Sequence, residues 1–284
     1  MPRVHPRRRV VLISPGSDER KAVKALASTA DEVILDLEDA VSPAHKESAR
    51  NLIGDLIRTY GAERAVGVRV NALGTPWFVD DLRTCATLGQ LLSSVVVPKV
   101  ESPHDLVTVD RVLAEGGDTD LAVQALIETP AGVQRIDDIV VGPRLTAVIL
   151  GYADLGAALG RSPSIASSHW LYVQDRLLHV ARVAGIQAID GPYLGIADDS
   201  DFRDSARWVA NLGFDGKWVI HPSQIDSAAT SFTPSISQVE QARKVLAALS
   251  EAATRGAGAA QLDGQMLDEA VAVAARRTLT LIGE

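Results

Sequence analysis

The segment DEVILDLEDAVSPAHKESAR, residues 31–50, contains the pattern that decides the fold. An apolar run ends in three carboxylates, Asp36, Glu38 and Asp39, and a segment with helical spacing of apolar residues follows. A run that is apolar at nearly every position predicts a strand buried on both faces, as in parallel sheets covered by helices. Burying three neighbouring carboxylates is costly unless cations or hydrogen-bond donors compensate them. The segment therefore predicts a βα unit whose strand ends at a charged site.

The same alternation runs through most of the chain. Eight apolar, β-branched runs, separated by segments with helical periodicity, are RRVVLISPG, DEVILDLED, AVGVRVN, SSVVVPKV, LAVQALIET, LTAVILGYAD, GIQAID and GKWVIHP. Eight βα units in 284 residues favour a TIM (β/α)8 barrel over residues 1–230, and a doubly wound open sheet is the alternative. Residues 231–284 contain two helical patterns around a Gly/Ala-rich connector and QLDGQML. By pattern alone, this segment is a packing helix followed by a tail.

Composition excludes several classes of protein. The net charge of −8 argues against a nucleic-acid binder, so an anionic ligand would need a local basic pocket. A single cysteine, Cys85, excludes an intrachain disulfide and fits a reducing compartment. The N-terminal RRRVVLIS has too short an apolar run for an export signal, and no apolar run approaches the roughly 18 residues of a membrane span. We expect a cytoplasmic protein that binds neither nucleic acid nor membrane.

Polar residues are concentrated where the predicted strands end. In strand order these are Ser14, Pro15 and Gly16; Asp36, Glu38 and Asp39; Arg69 and Asn71; Lys99 and Glu101; Glu128; Asp154; Asp190; and His221. In a TIM barrel the carboxyl ends of the strands form the active site, so closure would direct many of these side chains at one cavity. Arg69 and Lys99 would then offset the carboxylates of residues 36–39.

Glu128 and Asp154 end adjacent predicted strands. Two carboxylates without an accompanying His or Cys pattern favour a hard cation that takes its other ligands from water and substrate oxygens. We therefore predict a Mg²⁺ site, with Mn²⁺ as the alternative. His221, before Pro222, is interpreted as a hydrogen-bonding residue at a strand end and not as a ligand.

Several longer motifs resemble those of a known family. LDLEDAVSPAHKESAR, VRVN, VPKVES, IETPAGV, GYADLGAALG, GIQAIDGPYLGIAD, GFDGKWVIHPSQI and FTPSISQVEQARKVL occur in the order typical of citrate lyase beta-subunit-like proteins. That group is part of the wider family of malyl-CoA lyases and HpcH/HpaI aldolases. The resemblance covers nearly the whole chain and implies a TIM barrel that uses Mg²⁺ and acts on 2- or 3-hydroxyacyl thioesters, usually of coenzyme A.

The resemblance also implies roles for individual residues. Glu128 and Asp154 would be the metal ligands, and Arg69 would bind the substrate. Asp36 and Glu38 resemble outer carboxylates that orient metal-bound water and this arginine.

Four further strand-end residues complete the expected set. We expect Pro15, Gly16, Lys99 and Asp190 to contribute to binding of the substrate or the coenzyme.

The resemblance implies a different role for the C-terminal segment. Relatives have a C-terminal lid that reaches a neighbouring subunit and carries a catalytic aspartate, which falls here on Asp268 in LDGQMLD. The implied enzyme is a homo-oligomer, a trimer or a dimer of trimers.

Departures from the family pattern leave the substrate open. ISPG replaces the usual F-x-P-G, Gln174 stands where an arginine is common, and Gly195 where an acidic residue is common. We predict a carbon–carbon lyase for a thioester such as malyl-CoA or a citramalyl-CoA-like compound, which would release an acyl-CoA and a keto acid. The alternatives are a malyl-CoA-type thioesterase, a citrate lyase beta subunit that acts on a carrier-bound thioester, and a catalytically silent barrel subunit.

Overall fold

A computed structural model describes residues 7–118, 120–162 and 166–284. The chain divides into two compact units, Met1–Ala228 and Ala229–Glu284. No helix within the described residues is both long enough and apolar enough to span a bilayer.

The first unit is a closed barrel of parallel strands, so the predicted TIM barrel is confirmed and the open-sheet alternative is wrong. Its strands in the described residues are β1 (Val10–Pro15), β2 (Glu32–Asp36), β3 (Val66–Arg69), β4 (Ser94–Val97), β5 (Ala122–Ile127), β6 (Leu145–Leu150), β7 (Gln187–Asp190) and β8 (Gly216–Val219). Each strand pairs with the next in sequence, and β8 pairs with β1. Closure therefore gathers the carboxyl ends of all these strands at one end of the barrel.

Helices follow the strands as the apolar spacing predicts. They are α1 (Glu19–Leu26), α2 (Lys46–Tyr60), α3 (Phe78–Leu88), α4 (Pro103–Glu115), α5 (Pro130–Gln134), α6 (Ile136–Ile139), α7 (Tyr152–Ala158), α8 (Leu171–Ala184), α9 (Ser200–Leu212) and α10 (Ile225–Ser231). The side chains at the start of α4 explain why the helix begins there. Ser102 and Asp105 form a capping box, and Pro103 occupies the first helical position.

The interior of the barrel is a packed apolar core. Its buried members are Val11, Ile34, Val96, Leu126, Ala147, Ile149, Ile189 and Trp218. They come from alternate positions of the strands, as the two-residue period of side chains in a strand requires. Trp218 lies 6.0 Å from the guanidinium carbon of Arg69, measured to the ring centroid, so the core reaches the level of the polar residues at the carboxyl ends.

A separate buried network lies at the amino ends of the strands. Glu32 accepts hydrogen bonds from Arg8 Nε at 2.6 Å, Ser94 Oγ at 2.9 Å and Gln124 Nε2 at 2.9 Å. Arg8 Nη1 donates to Gln187 Oε1 at 2.6 Å. These residues come from β2, β4, β5, β7 and the segment before β1, so the network joins distant parts of the sheet.

The second unit contains two helices and a β-hairpin: α11 (Ile236–Thr254), β9 (Ala260–Leu262), β10 (Gln265–Leu267) and α12 (Glu269–Thr280). The hairpin turns at Asp263 and Gly264, which both have positive φ, as an Asp-Gly turn of type I′ requires. It pairs β9 with β10 and places Leu267 in a small core with Ala242, Val245 and Ala275. Helical periodicity alone did not predict this hairpin.

Candidate active site

Asp36 and Arg69 form an ion pair at the ends of neighbouring strands. Asp36, at the end of β2, is 1% exposed and accepts from Arg69 Nε at 2.7 Å and Nη2 at 2.8 Å. The backbone amides of Glu38 and Ala40 also donate to Asp36, at 2.9 and 3.2 Å. Arg69 Nη1 reaches Glu38 Oε2 at 2.9 Å. Burial alone would lower the pKa of Arg69, but the carboxylates of Asp36 and Glu38 outweigh it and raise that pKa. The guanidinium is a fixed, oriented cation.

Lys99 connects this pair to the two predicted metal ligands. Its Nζ lies 2.5 Å from Glu38 Oε1, 2.9 Å from Asp154 Oδ2 and 3.9 Å from Glu128 Oε1. Its backbone amide donates to Glu128 Oε1 at 3.0 Å. Burial opposes the charge on Lys99, but its hydrogen bond to Glu38 and the neighbouring carboxylate of Asp154 raise its pKa. The structure thus brings together the carboxylates at the ends of β2 and β5 and in the first turn of α7.

Glu128 follows β5 and fits closely against the residue that follows β6. A Cβ atom on Gly151 would lie 2.5 Å from Glu128 Cβ and 2.6 Å from its Oε2, so only glycine leaves room for this carboxylate. Burial, and then the neighbouring charge of Glu38, raise the pKa of Glu128 to about 8. The carboxylate is therefore short of positive charge even with Lys99 and Arg69 nearby.

The donor set fits Mg²⁺. Glu128 is 5% exposed, whereas the Asp154 side chain is 37% exposed, so the pair is open to solvent on one side. Among the residues that the structure describes, no three His, Cys, Asp or Glu side chains are grouped as a metal site. Two protein carboxylates, with water and substrate oxygens as the other ligands, are what Mg²⁺ takes in many enzymes. Glu128 and Asp154 would hold the ion, whose charge would compensate the excess of carboxylates.

The raised pKa of Glu128 predicts a pH-dependent stability in protein treated with EDTA. Between its ordinary value of 4.5 and about 8, the folded state keeps a proton that the unfolded state has lost. Stability is therefore expected to fall as pH rises through this window, for Glu128 by on the order of 1 kcal/mol or more. Urea unfolding of wild type and Glu128→Gln at pH 6 and pH 8.5 measures this. The difference between the two proteins should change with pH, and parallel curves would contradict the assignment.

Asp190 lies outside this cluster. It is 1% exposed, forms an ion pair with Lys217 and accepts a hydrogen bond from the Tyr152 hydroxyl. Lys217 also donates to the carbonyl of Gly191 at 2.8 Å. Tyr152 begins α7, the helix that carries Asp154, so Asp190 is linked to that helix through the tyrosine hydroxyl. Its expected contact with substrate or coenzyme stays a prediction.

Four other residues at the predicted strand ends make contacts within the barrel. Gly16 is buried, and its amide donates to the carbonyl of Asp36 at 2.8 Å, while Pro15 pairs with Asp36 in the strand register. Asn71 turns away and donates to Asp81 at 2.6 Å. His221 accepts from the amide of Ser223 at 3.2 Å and begins a short 3-10 helix. Gly16 and Pro15 thus contact the backbone of Asp36, and the contacts of Asn71 and His221 lie outside the carboxylate cluster.

One supporting residue was not predicted. Lys46 is 5% exposed, and its Nζ donates to the carbonyls of Leu37 and Glu38, each at 2.7 Å. It also lies 5.3 Å from the ring centroid of Trp77. Lys46 therefore fixes the backbone of residues 37 and 38, between the carboxylates of Asp36 and Asp39.

Asp268 belongs to the second unit. Its Oδ1 accepts from the amides of Ala270 at 3.0 Å and Val271 at 3.3 Å, so the side chain caps α12. This contact alone explains an aspartate at this position, because Asp and Asn are favoured N-caps. The catalytic role implied by the resemblance remains a prediction.

Comparison with known proteins tests the family directly. Residues 9–222 match the HpcH/HpaI aldolase/citrate lyase family. The chain belongs to this family.

Three relatives in or near the HpcH/HpaI family are similar over almost their full lengths. An L-malyl-CoA/beta-methylmalyl-CoA lyase of Cereibacter sphaeroides is 35% identical, covering 92% of this chain and 90% of the relative. A (3S)-malyl-CoA thioesterase of the same species is 36% identical, covering 97% and 94%. The crystal structure of CitE from Mycobacterium tuberculosis in complex with magnesium, acetoacetate and coenzyme A is 31% identical. It superposes with a TM-score of 0.81 over 99% of this chain and 100% of that one.

Two of the residues that depart from the HpcH/HpaI pattern line the same cavity of about 920 Å³ in the first unit. Gln174 and Gly195 lie on its walls with Tyr152, Trp170 and Trp208. Gln174 is held by Tyr152 and Trp208, because its Nε2 donates to the tyrosine hydroxyl at 2.8 Å and its Oε1 accepts from the indole at 3.0 Å. The cavity lining contains neither Glu128 nor Arg69. These departures therefore alter the surroundings of α7 and leave the carboxylate cluster complete.

Proposed function

We propose that this chain is a Mg²⁺-dependent carbon–carbon lyase that cleaves a β-hydroxyacyl-CoA thioester of the malyl-CoA type. The products are an acyl-CoA and a keto acid. The observation that carries the proposal is the convergence of Glu128 and Asp154 with an oriented Arg69 at the carboxyl ends of the barrel strands. A citramalyl-CoA-like compound belongs to the same substrate class.

When bound, Mg²⁺ supplies Lewis-acid chemistry that polarises a substrate oxygen. Arg69 stabilises negative charge on the thioester oxygen as the carbon–carbon bond breaks and an enolate develops, because its guanidinium is already fixed by Asp36. Glu38 holds both Arg69 and Lys99, so it maintains the spacing of the two cations. We assign to Asp268 the transfer of a proton: its carboxylate accepts the proton that the β-hydroxyl loses as the carbon–carbon bond breaks, and then delivers it to the α-carbon of the thioester product.

The named relatives support this reading and define its main alternative. The Cereibacter lyase and thioesterase are similar to this chain to nearly the same degree, at 35% and 36% identity. The same cation, arginine and acid could activate water against the thioester carbonyl, so hydrolysis is the second candidate. The CitE structure contains coenzyme A itself, which favours a free thioester over one attached to a carrier protein.

Product analysis separates the candidates. Purified protein is incubated with malyl-CoA and Mg²⁺, and glyoxylate, malate and free thiol are quantified with an EDTA control. Glyoxylate with acetyl-CoA is expected for the lyase, whereas malate with free thiol would establish the thioesterase. No product in either channel would overturn malyl-CoA as the substrate.

We also propose that the enzyme is a homo-oligomer, a trimer or hexamer, in which Asp268 of one subunit serves the barrel of its neighbour. The HpcH/HpaI resemblance of LDGQMLD supports this. The same proposal places the enzyme in the cytoplasm, in keeping with a sequence that has one cysteine.

A mixing experiment tests the shared site. Asp268→Asn keeps the helix cap but removes the charge, and is expected to lower turnover by about a hundredfold. Co-expression of Asp268→Asn with Glu128→Gln should restore activity, because some barrels with intact Glu128 then meet a neighbour with intact Asp268. Random assembly predicts recovery to about a quarter of the wild-type rate. If each Asp268 serves its own chain, the mixture stays as inactive as its parts.

A further inference from the structure

We propose that Lys99 is an internal counter-ion which a divalent cation displaces from Asp154, and that Lys99 thereby sets the affinity of the site for Mg²⁺. The inference rests on the proposed function for the identity of the metal ligands, Glu128 and Asp154. It assigns to Lys99 a role in regulating that site, in addition to the substrate contact expected from the sequence.

The position of the ammonium group is the first observation. Besides its close contacts with Glu38 and Asp154, Nζ lies 3.8 Å from Asp39 Oδ2 and 3.9 Å from Glu128 Oε1. One cation therefore lies among four carboxylates, two of which are the predicted metal ligands. A lysine in a solvated strand end would have no reason to adopt this position.

The backbone gives the second observation. Lys99 has φ of 53°, in the left-handed region that residues with a Cβ atom seldom occupy. In this conformation its amide donates to Glu128 while its side chain reaches Asp154. The same residue thus contacts both predicted ligands, one through its main chain and the other through its ammonium group.

The contact with Asp154 is incompatible with a metal ion on the same oxygen. Mg²⁺ binds carboxylate oxygens at about 2.0–2.1 Å, and two cations sharing one carboxylate oxygen repel each other strongly at such distances. Lys99 keeps Glu38 and Asp39 as partners when it leaves Asp154. Its side chain is 35% exposed, so it has room to move.

The net charge of the carboxylate cluster allows Lys99 and Mg²⁺ to be present together. The carboxylates of the cluster are Asp36, Glu38, Asp39, Glu128 and Asp154, and its cations are Arg69, Lys99 and the adjacent Lys46. Once Glu128 gives up its proton to bind a divalent ion, five negative charges face three positive ones, and the ion reduces this excess without expelling Lys99. In the metal-free protein, Lys99 limits repulsion among the carboxylates, and Mg²⁺ must compete with it.

Metal binding to Lys99→Met, measured by calorimetry with Mg²⁺ and by electron paramagnetic resonance with Mn²⁺, tests the inference without any substrate. We expect Lys99→Met to bind Mg²⁺ about tenfold more tightly than wild type, because the competing charge is gone. Its melting temperature in EDTA should be lower than that of wild type, and Mg²⁺ should raise it by more. Lys99→Arg, which keeps the charge, should stay within about threefold of wild type.

Matched controls separate this role from a general charge effect. Lys24 is an exposed lysine on α1, so Lys24→Met makes the same change in net charge away from the cluster and should leave the affinity unchanged. Lys99→Gln, which can still donate to Glu38, replaces Lys99→Met if that variant does not fold. Equal or weaker Mg²⁺ binding by the neutral variants would overturn the role of Lys99.

Failure of the inference and failure of the proposed function give different results. Wild-type protein that binds neither Mg²⁺ nor Mn²⁺ would overturn both. Wild-type protein that binds Mg²⁺ but cleaves no malyl-CoA would overturn only the substrate, and tighter binding by Lys99→Met would still support displacement.

Discussion

Glu128→Gln is expected to reduce Mg²⁺-dependent turnover of malyl-CoA by about a thousandfold or more, because it removes one of two protein charges that hold the ion. The substitution keeps the size of the side chain and its acceptor for the amide of Lys99. It also removes a buried carboxylate whose pKa is raised to about 8, so the metal-free variant should be at least as stable as wild type at neutral pH. Turnover and the melting temperature in EDTA measure the two effects.

A matched variant keeps this result interpretable. Glu115, exposed at the end of α4, is a surface acid, and Glu115→Gln should retain full activity. A Glu128→Gln protein that folds and still turns over at the wild-type rate would rule out Glu128 as a metal ligand.

Arg69→Lys is expected to lower kcat/KM by about a hundredfold, in the range measured for loss of one oxyanion-stabilising donor. The positive charge remains, but an ammonium cannot reproduce the paired contacts with Asp36 at 2.7 and 2.8 Å together with the contact to Glu38 at 2.9 Å. The loss should fall mainly on kcat, because the interaction strengthens as charge develops in the transition state.

Two further variants define the role of Arg69. Asp36→Asn leaves the guanidinium in place but weakens its orientation, and should cost about 10- to 100-fold, as outer residues of metal sites do. Arg58→Lys, on the exposed face of α2, is the control for the chemical change and should have no effect. Equal activity of Arg69→Lys and Arg58→Lys would exclude Arg69 from the reaction.

The barrel was predictable because its strands are almost uniformly apolar and each is followed by a helical pattern. The same reasoning located Glu128, Asp154 and Arg69, since a residue that ends a parallel strand must lie at one edge of the sheet. It did not predict which strand-end residues face the site. Asp190 is buried against Lys217, a residue within the next strand, and a one-residue alternation in β8 decides that Lys217 and Trp218 point to opposite sides.

The sequence also did not predict contacts that depend on an unusual backbone conformation or on how a helix packs. The left-handed conformation of Lys99 has no signature in VPKVES, and the support of residues 37 and 38 by Lys46 depends on how α2 packs. The hairpin of the second unit carries a recognisable Asp-Gly turn, but each of its strands is only three residues long, too short for alternation to identify a strand. Such short strands form where a neighbouring helix supplies their apolar partners.

The network around Glu32 has a consequence for how this enzyme can evolve. It fastens the amino ends of four strands through Arg8, Ser94, Gln124 and Gln187, whereas the reactive carboxylates occupy the opposite ends. Substitutions at sites this far apart usually act additively on stability. Helix α8 and the loop after β7 can therefore accumulate changes such as Gln174 and Gly195 while the network around Glu32 stays unchanged. Substitutions near the cavity are therefore expected to need no compensating substitution in the Glu32 network.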